Sequence, residues 1–384
     1  MLFKEIVGHN KLKNRLIQTV LDQRISHAQL FLGAEGSEKL ALAIAYAQFI
    51  ACKNKQIQAD DSDLLADSCG NCPSCIKYQK LVHPDLHFIF PVATTRSVTT
   101  KPTSDQFIKE WREALLQSNY YLDLNDWYSA IDIENKQGRI GVDDANNVIK
   151  VLGLRAYEGE YKVMIIWMVE KLYHAAAPKL LKILEEPPEK TLFILISEDS
   201  NQILKTILSR TQLVKLQSLN AEEIRHFLIH NFQLNGSKIE HIVNLAEGNF
   251  KNIFPLLTNK ELQLPYFDDY RTSMQLAYQR NFIGLKKQAE ELSKIGRENI
   301  KQFLQYGLRI TRLCLYQDIG NTEMVKASGI ELEFIQKFSR FVNQQTAPQI
   351  TDILNEAITH IERNVNPKIV LMDSFLKIAG IFIH

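Results

Sequence analysis

Five cysteines punctuate the 384-residue chain, and four of them fall between Cys52 and Cys75. Cys69-Gly-Asn-Cys72-Pro-Ser-Cys75 places three thiolates close together, where turns at Gly70 and Pro73 let them converge, and Cys52 supplies a fourth from the end of the first long helical stretch. A tetrahedral all-sulfur set suits zinc and is structural, because no coordination position is left for a substrate. An iron–sulfur cluster is the chemical rival, since C-x-x-C-x-x-C also opens ferredoxin motifs, but the fourth cysteine followed by proline is missing. A zinc module reading nucleic acid would call for basic and aromatic residues around the knuckle. Only Lys77, Tyr78 and Lys80 offer them, and Asp60, Asp61, Asp63 and Asp67 lie just before it. Cys314, in an apolar helical stretch, is expected to be a core thiol.

A second group of residues carries the outline of phosphate chemistry without its working parts. His27-Ala-Gln-Leu-Phe-Leu reads as a strand leading into Gly33-Ala-Glu-Gly36-Ser-Glu-Lys39-Leu40, where a Walker A loop would sit. G-x-x-x-x-G-K-[ST] needs a glycine before the lysine for close backbone approach to phosphate, and a hydroxyl after it for magnesium. Those places hold Glu38 and Leu40; Lys39 alone keeps its type. Downstream, Lys162 to Val169 has the apolar strand of a Walker B element, with Trp167 and Met168 where an Asp and a Glu would organise magnesium and polarise water. The defects fall together, which predicts a nucleotide fold that does not hydrolyse.

The elements that must position these residues follow from the pattern. Helix signals at Lys11 to Gln23 and Glu38 to Ile50 alternate with strand signals at Gln29 to Leu32, Asp85 to Pro91, Lys162 to Val169, Thr191 to Ser197 and Gln212 to Leu216. That alternation predicts an α/β domain with a parallel sheet over residues 1–217. Residues 92–139 break the pattern and read as an insertion holding Trp111 and Trp127. Capping-box spacing at Asn220 with Glu223, and at Ser237 with Glu240, predicts two short helices in a small helical unit over 218–260. Residues 261–384 read as helical throughout, with stripes such as Phe303, Leu304, Leu308, Ile310 and Leu315 that predict internal packing; Val370 to Ile383 is apolar enough to add an interface.

Composition limits the function classes. A hydrophobic fraction of 45% with 23% charged residues fits a folded protein, and no apolar run approaches a membrane span. The opening Met1-Leu-Phe-Lys-Glu-Ile-Val-Gly-His has no basic stretch followed by an apolar one, so a cytoplasmic protein is expected. With 45 basic against 44 acidic residues, the net charge of +1 argues against binding nucleic acid alone by bulk electrostatics.

One family carries these fragments in this order. Ile6-Val-Gly8-His, the 27–33 strand, Lys179-Leu-Leu-Lys-Ile-Leu-Glu-Glu-Pro-Pro188 and Ser209-Arg210-Thr211 together resemble the clamp-loader branch of the AAA+ proteins, and within it the family of delta prime subunits of bacterial DNA polymerase III. The matches run over residues 1 to about 90 and 140 to 255. The departures are Thr211 for the family's Cys, Pro178 before Lys179, and the length of 92–139. The resemblance implies an AAA+ P-loop-like domain with the zinc module at about 52–75, a helical lid over 218–260 and a helical collar over 261–384. It implies a non-hydrolysing clamp-loader subunit whose partners are the gamma/tau motor and delta subunits, with the sliding clamp and primed DNA reached through the assembly. Arg210 becomes an arginine finger offered to the neighbouring ATPase, with Ser209 orienting its loop. Gly33, Gly36, Lys39, Trp167, Met168, Ser197 at the first sensor position and Lys251 at the second become nucleotide-site remnants. Whether ATP binds this chain stays open at this point. The alternatives are a working ATPase of the gamma/tau type and a zinc-containing nucleic-acid-binding protein.

Overall fold

The computed structural model describes residues 1–57, 64–232, 234–246, 248–257, 266–327 and 329–382. Asp60, Asp61 and Asp63, the expected boundary at 260/261 and Ile383 lie outside the described residues. The chain divides into two compact units, one of Met1–Ile133 with Gly138–Phe254 and one of Glu134–Gln137 with Pro255–His384.

The first unit contains strands β1 (Ala28–Leu32), β2 (Gln56–Ile57), β3 (Ala66–Asp67), β4 (Leu86–Ile89), β5 (Lys162–Trp167), β6 (Thr191–Ser197) and β7 (Gln212–Lys215). Its helices are α1 (Asn10–Leu21), α2 (Lys39–Ala51), α3 (Pro73–Gln79), α4 (Ile108–Gln117), α5 (Leu124–Ala130), α6 (Val142–Leu152), α7 (Ala177–Glu185), α8 (Lys205–Leu208), α9 (Ala221–Asn231) and α10 (Gly236–Ala246), and α11 (Ile253–Leu257) runs across the division between the units. Five strands form a parallel sheet in the order β4-β5-β6-β1-β7, and β2 with β3 makes a small antiparallel pair. Every residue of β5 and β6 is buried, because helices cover both faces of a parallel sheet. The continuous apolar runs of these strands are the sequence signature of that burial. Helix α2 is buried from Lys39 to Ile50, and its alanines let it sit close between the sheet and its neighbours.

The inserted stretch is part of this core. Val92 and Arg139 exchange backbone hydrogen bonds of 3.2 and 3.0 Å, closing the insertion at its neck. Trp111 on α4 and Trp127 on α5 are fully buried. Trp111 stacks on Phe90 at 4.2 Å and meets Trp127 and Trp167 at 5.1 Å each. Aromatic contacts of this kind contribute roughly 0.5–1.5 kcal/mol each beyond area burial. Trp167, at the strand end where a catalytic acid would be expected, therefore anchors the insertion to the sheet.

Asn220 caps α9 through the predicted box with Glu223. The second cap differs from expectation: Asn235, not Ser237, accepts the Lys238 N–H, and α10 starts at Gly236, one residue before the expected cap.

The second unit is a bundle of α12 (Phe267–Tyr278), α13 (Phe282–Leu292), α14 (Arg297–Asp318), α15 (Gly329–Phe338), α16 (Thr346–Glu362) and α17 (Pro367–Ile381). Phe303, Leu304 and Ile310 are buried in its core and Leu308 and Leu315 pack against it, as the stripe predicts. On α17, Val370, Leu371, Phe375 and Ile378 face that core while Ile369 and Leu376 are exposed. Cys314 is a fully buried core thiol, pushed by burial up to about 12.

Candidate functional site

The turn between β1 and α2, where the sequence suggests a phosphate loop, carries two residues of positive φ. Gly36 has φ +71° and Glu38, in the glycine position of the motif, has φ +61°. At Gly36 the glycine is required, since a Cβ would lie 1.8 Å from Asn249 Oδ1. Lys39, with its side chain 6% exposed, donates to Ala34 O at 2.6 Å and Ser37 Oγ at 3.3 Å and pairs with Glu198 at 3.5 Å. The amine that would hold phosphate is thus turned onto its own loop. Met168 is buried with φ +55°, and the fully buried Ser197 receives the Asp199 N–H on its hydroxyl at 3.3 Å.

Two residues of the insertion enter this site. Tyr121 donates its hydroxyl to Glu38 Oε1 at 2.9 Å, and its ring lies 4.7 Å from Phe250 and 5.8 Å from Phe254. Asp123 caps α5 by accepting the Asp126 N–H at 2.7 Å, and both aspartates pair with Lys251. The remaining cavity, lined by Glu35, Lys39, Tyr121, Asp123, Trp167 and Lys251 among others, has about 30 Å³. That is room for water, whereas small-molecule sites run to roughly 300–1,000 Å³.

Burial pushes the Glu38 carboxyl up to about 7 against hydrogen bonds from Tyr121 and the Val7 N–H. Its free oxygen faces His9 Nε2 at 3.7 Å, and neither atom has a hydrogen-bond partner. His9 is itself pushed down by burial. The folded protein therefore holds the Glu38 proton up to about pH 7, while the unfolded chain releases it near the ordinary glutamate value. Stability contributed by this proton is lost as pH rises between those two values. Glu38→Gln removes the ionisation. It is expected to match the parent in urea unfolding at mildly acidic pH and to exceed it by on the order of 2–3 kcal/mol at mildly alkaline pH. A difference that does not change with pH contradicts this assignment.

The four predicted cysteines form a second cluster, with all sulfurs within 4.8 Å of one another. Cys52 ends α2, Cys72 caps α3 with Pro73 behind it, Cys75 lies on α3, and Gly70 makes its turn at φ +74°. Cys52 and Cys69 lie 3.6 Å apart and Cys69 and Cys75 3.9 Å apart. A tetrahedral ion with Zn–S bonds of about 2.3 Å requires about 3.8 Å, so the set fits zinc. Backbone N–H groups of Cys69 and Cys72 point at the sulfurs of Cys52 and Cys69, each at 3.4 Å, and would stabilise thiolates. Around the knuckle, Tyr78 is fully buried and Lys77 is paired with Glu158, so neither offers a base a stacking face or a free cation.

Arg210 follows α8 at the surface. Its Nε and Nη2 engage Glu185 of the Leu-Glu-Glu-Pro-Pro segment, and Nη1 donates to Thr206 O at 3.0 Å and Ser209 Oγ at 3.3 Å. Both partners of the ion pair are substantially exposed, and an exposed pair is readily exchanged for a stronger anion.

Residues 8–220, more than half of the chain, match the family described as DNA polymerase III, delta subunit. The chain belongs to this family. Similar delta-family and related proteins include the DNA polymerase III subunit delta' of Haemophilus influenzae, 24% identical over 95% of this chain and 94% of that protein. The subunit delta' of Bacillus subtilis is 27% identical over 56% of this chain and 49% of that one. The subunit tau of Bacillus subtilis is 22% identical over 98% of this chain, which spans only 61% of tau. As expected from composition, no helix among the described residues is long and apolar enough to cross a membrane.

Within this delta-family chain Gly36, Lys39, Trp167 and Lys251 line one small cavity, Gly33 N donates to Ser197 O at 3.3 Å beside it, Met168 is buried at the end of β5 without lining it, and the cysteines lie together at the far end of α2. Sequence reasoning missed Tyr121, Asp123 and Glu185. Asp123 did carry a local signal, since an aspartate three residues before Asp126 at the start of an apolar stretch is a helix cap.

Proposed function

We propose that this chain is the non-hydrolysing, delta prime type subunit of a replicative clamp loader. In this reading residues 1–217 are its AAA+ body, 218–260 its lid and 261–384 its collar. It joins gamma/tau motor subunits and the delta subunit, and the assembly opens a sliding clamp and places it on primed DNA. The observation that carries the reading is the closed loop: Glu38 and Lys39 are bonded internally, Leu40 offers no magnesium ligand, and Asp123 and Tyr121 fill the remainder. A motor of the gamma/tau type needs an open phosphate pocket with a metal ligand. Arg210, partly exposed and held by an exchangeable pair with Glu185 and by hydrogen bonds to Thr206 O and Ser209 Oγ, is the group offered to the adjacent motor's ATP, where a guanidinium stabilises charge on the transferring phosphoryl group. The four-cysteine set is assigned to structural zinc. The test is ATP turnover by the isolated chain and by motor and delta subunits reassembled with and without it. Turnover that appears in the complete assembly and not in the isolated chain supports the reading; turnover by the isolated chain contradicts it.

A further inference from the structure

A nucleotide normally ties a phosphate loop to the helices that follow the sheet, and in this chain something else makes that tie. The loop Gly33–Glu38 is bonded directly to the 249–254 segment at one point, where Phe250 N donates to Gly36 O at 3.2 Å. The other links pass through the insertion: Tyr121 bonds Glu38 on one side and packs on Phe250 and Phe254 on the other, and Asp123, 8% exposed, pairs with Lys251. We propose that residues 120–126 are a resident ligand of the degenerate nucleotide site, an intramolecular carboxylate and phenol that stand in for a bound nucleotide and fix the 249–254 segment to the loop.

The chemistry of the contacts supports this assignment. Lys251 is a half-buried cation that needs an anion, and Asp123 with Asp126 supplies it where a phosphate would otherwise be required. Tyr121 fills apolar and polar requirements at once, its ring against two phenylalanines and its hydroxyl on a buried acid. A ligand attached through the chain acts at a high effective concentration, and a free nucleotide would have to displace it from a cavity of about 30 Å³. The tie is therefore permanent and independent of ATP level. This inference holds whether or not Arg210 acts on a neighbour, because it concerns only the chain's own site.

Hydrogen exchange on the full chain tests it. Asp123→Asn keeps the acceptor that caps α5 but removes the charge opposite Lys251, and Tyr121→Phe keeps the ring but removes the bond to Glu38. In the double variant, amides of 248–254 are expected to exchange roughly tenfold faster than in the parent while those of α14 stay unchanged, within the coupling found for residues of one ion-pair network. Parent-like exchange over 248–254 in the folded double variant overturns the proposal. If the double variant unfolds, the single variants decide: faster exchange confined to 248–254 supports it and parent rates in both overturn it. A fluorescent ATP analogue at millimolar concentration should show no saturable binding to the parent, and saturable binding overturns the proposal as well.

Discussion

Replacing Arg210 with alanine in the reassembled clamp loader is expected to reduce ATP turnover at the adjacent motor site by on the order of 10³, the lower end of what arginine fingers supply. The side chain lies at the surface after a four-residue helix, and its contacts within the chain are Glu185, Thr206 and Ser209. Because the Glu185 pair is exposed, little stability is lost on substitution, and the assembly should form normally by size-exclusion chromatography. Arg210→Lys is expected to restore little of the rate, since a lysine cannot present the planar fork that spans two phosphate oxygens. Steady-state turnover falls less than the site itself when other motor sites keep their own fingers, so single-turnover hydrolysis is the appropriate measurement. Parent-like hydrolysis by an assembled Arg210→Ala complex removes the catalytic role and leaves a scaffold.

The second large effect concerns the cysteines. Metal content is expected to be one zinc per chain, and Cys69→Ser with Cys72→Ser should abolish it. Structural zinc sites contribute about 10–16 kcal/mol of binding free energy, comparable to the whole stability of an ordinary domain. Loss of the ion should melt α3 and the β2–β3 pair and weaken the end of α2, because Cys52 is the C-cap of that helix. Differential scanning calorimetry should show the first unit unfolding more than roughly 10 °C lower, beyond the few degrees that each kcal/mol represents. Zinc-free protein with parent stability contradicts a structural ion, and absorbance in the visible range would point to the iron–sulfur rival.

Much of this was legible in the sequence for reasons that can be stated residue by residue. The strands β5 and β6 announce themselves because both faces are buried, so Val163 to Val169 and Leu192 to Ile196 read as unbroken apolar runs. The cysteines are legible because three of the four ligands are local. The insertion was not. Trp111 and Trp127 pack across the sheet end onto Phe90 and Trp167, a core assembled from segments distant in sequence, so the helically spaced face of α4 at Trp111, Ala114 and Leu115 does not say what it packs against. Asp123 and Lys251 meet across 128 positions, and Arg210 and Glu185 across 25, and no spacing rule registers such pairs. Ser237 failed as a cap because Asn235, two residues earlier, competes with a better side chain in the better position.

In the proposed reading the residues at the Walker positions serve packing instead of nucleotide chemistry: Trp167 joins an aromatic cluster, and Glu38 accepts from Tyr121 and the Val7 N–H. A site filled this way has no reason to keep an open state.

If this chain works through its arginine and not through its own nucleotide loop, substitutions at Arg210 and Lys39 separate the two roles. Single-turnover ATP hydrolysis would be measured in clamp loaders assembled with the parent chain, with Lys39→Met and with Arg210→Ala. Hydrolysis is expected to stay at the parent rate with Lys39→Met and to fall by on the order of 10³ at the adjacent site with Arg210→Ala. The reverse pattern, a large fall with Lys39→Met and none with Arg210→Ala in intact assemblies, would contradict it and make the chain a motor.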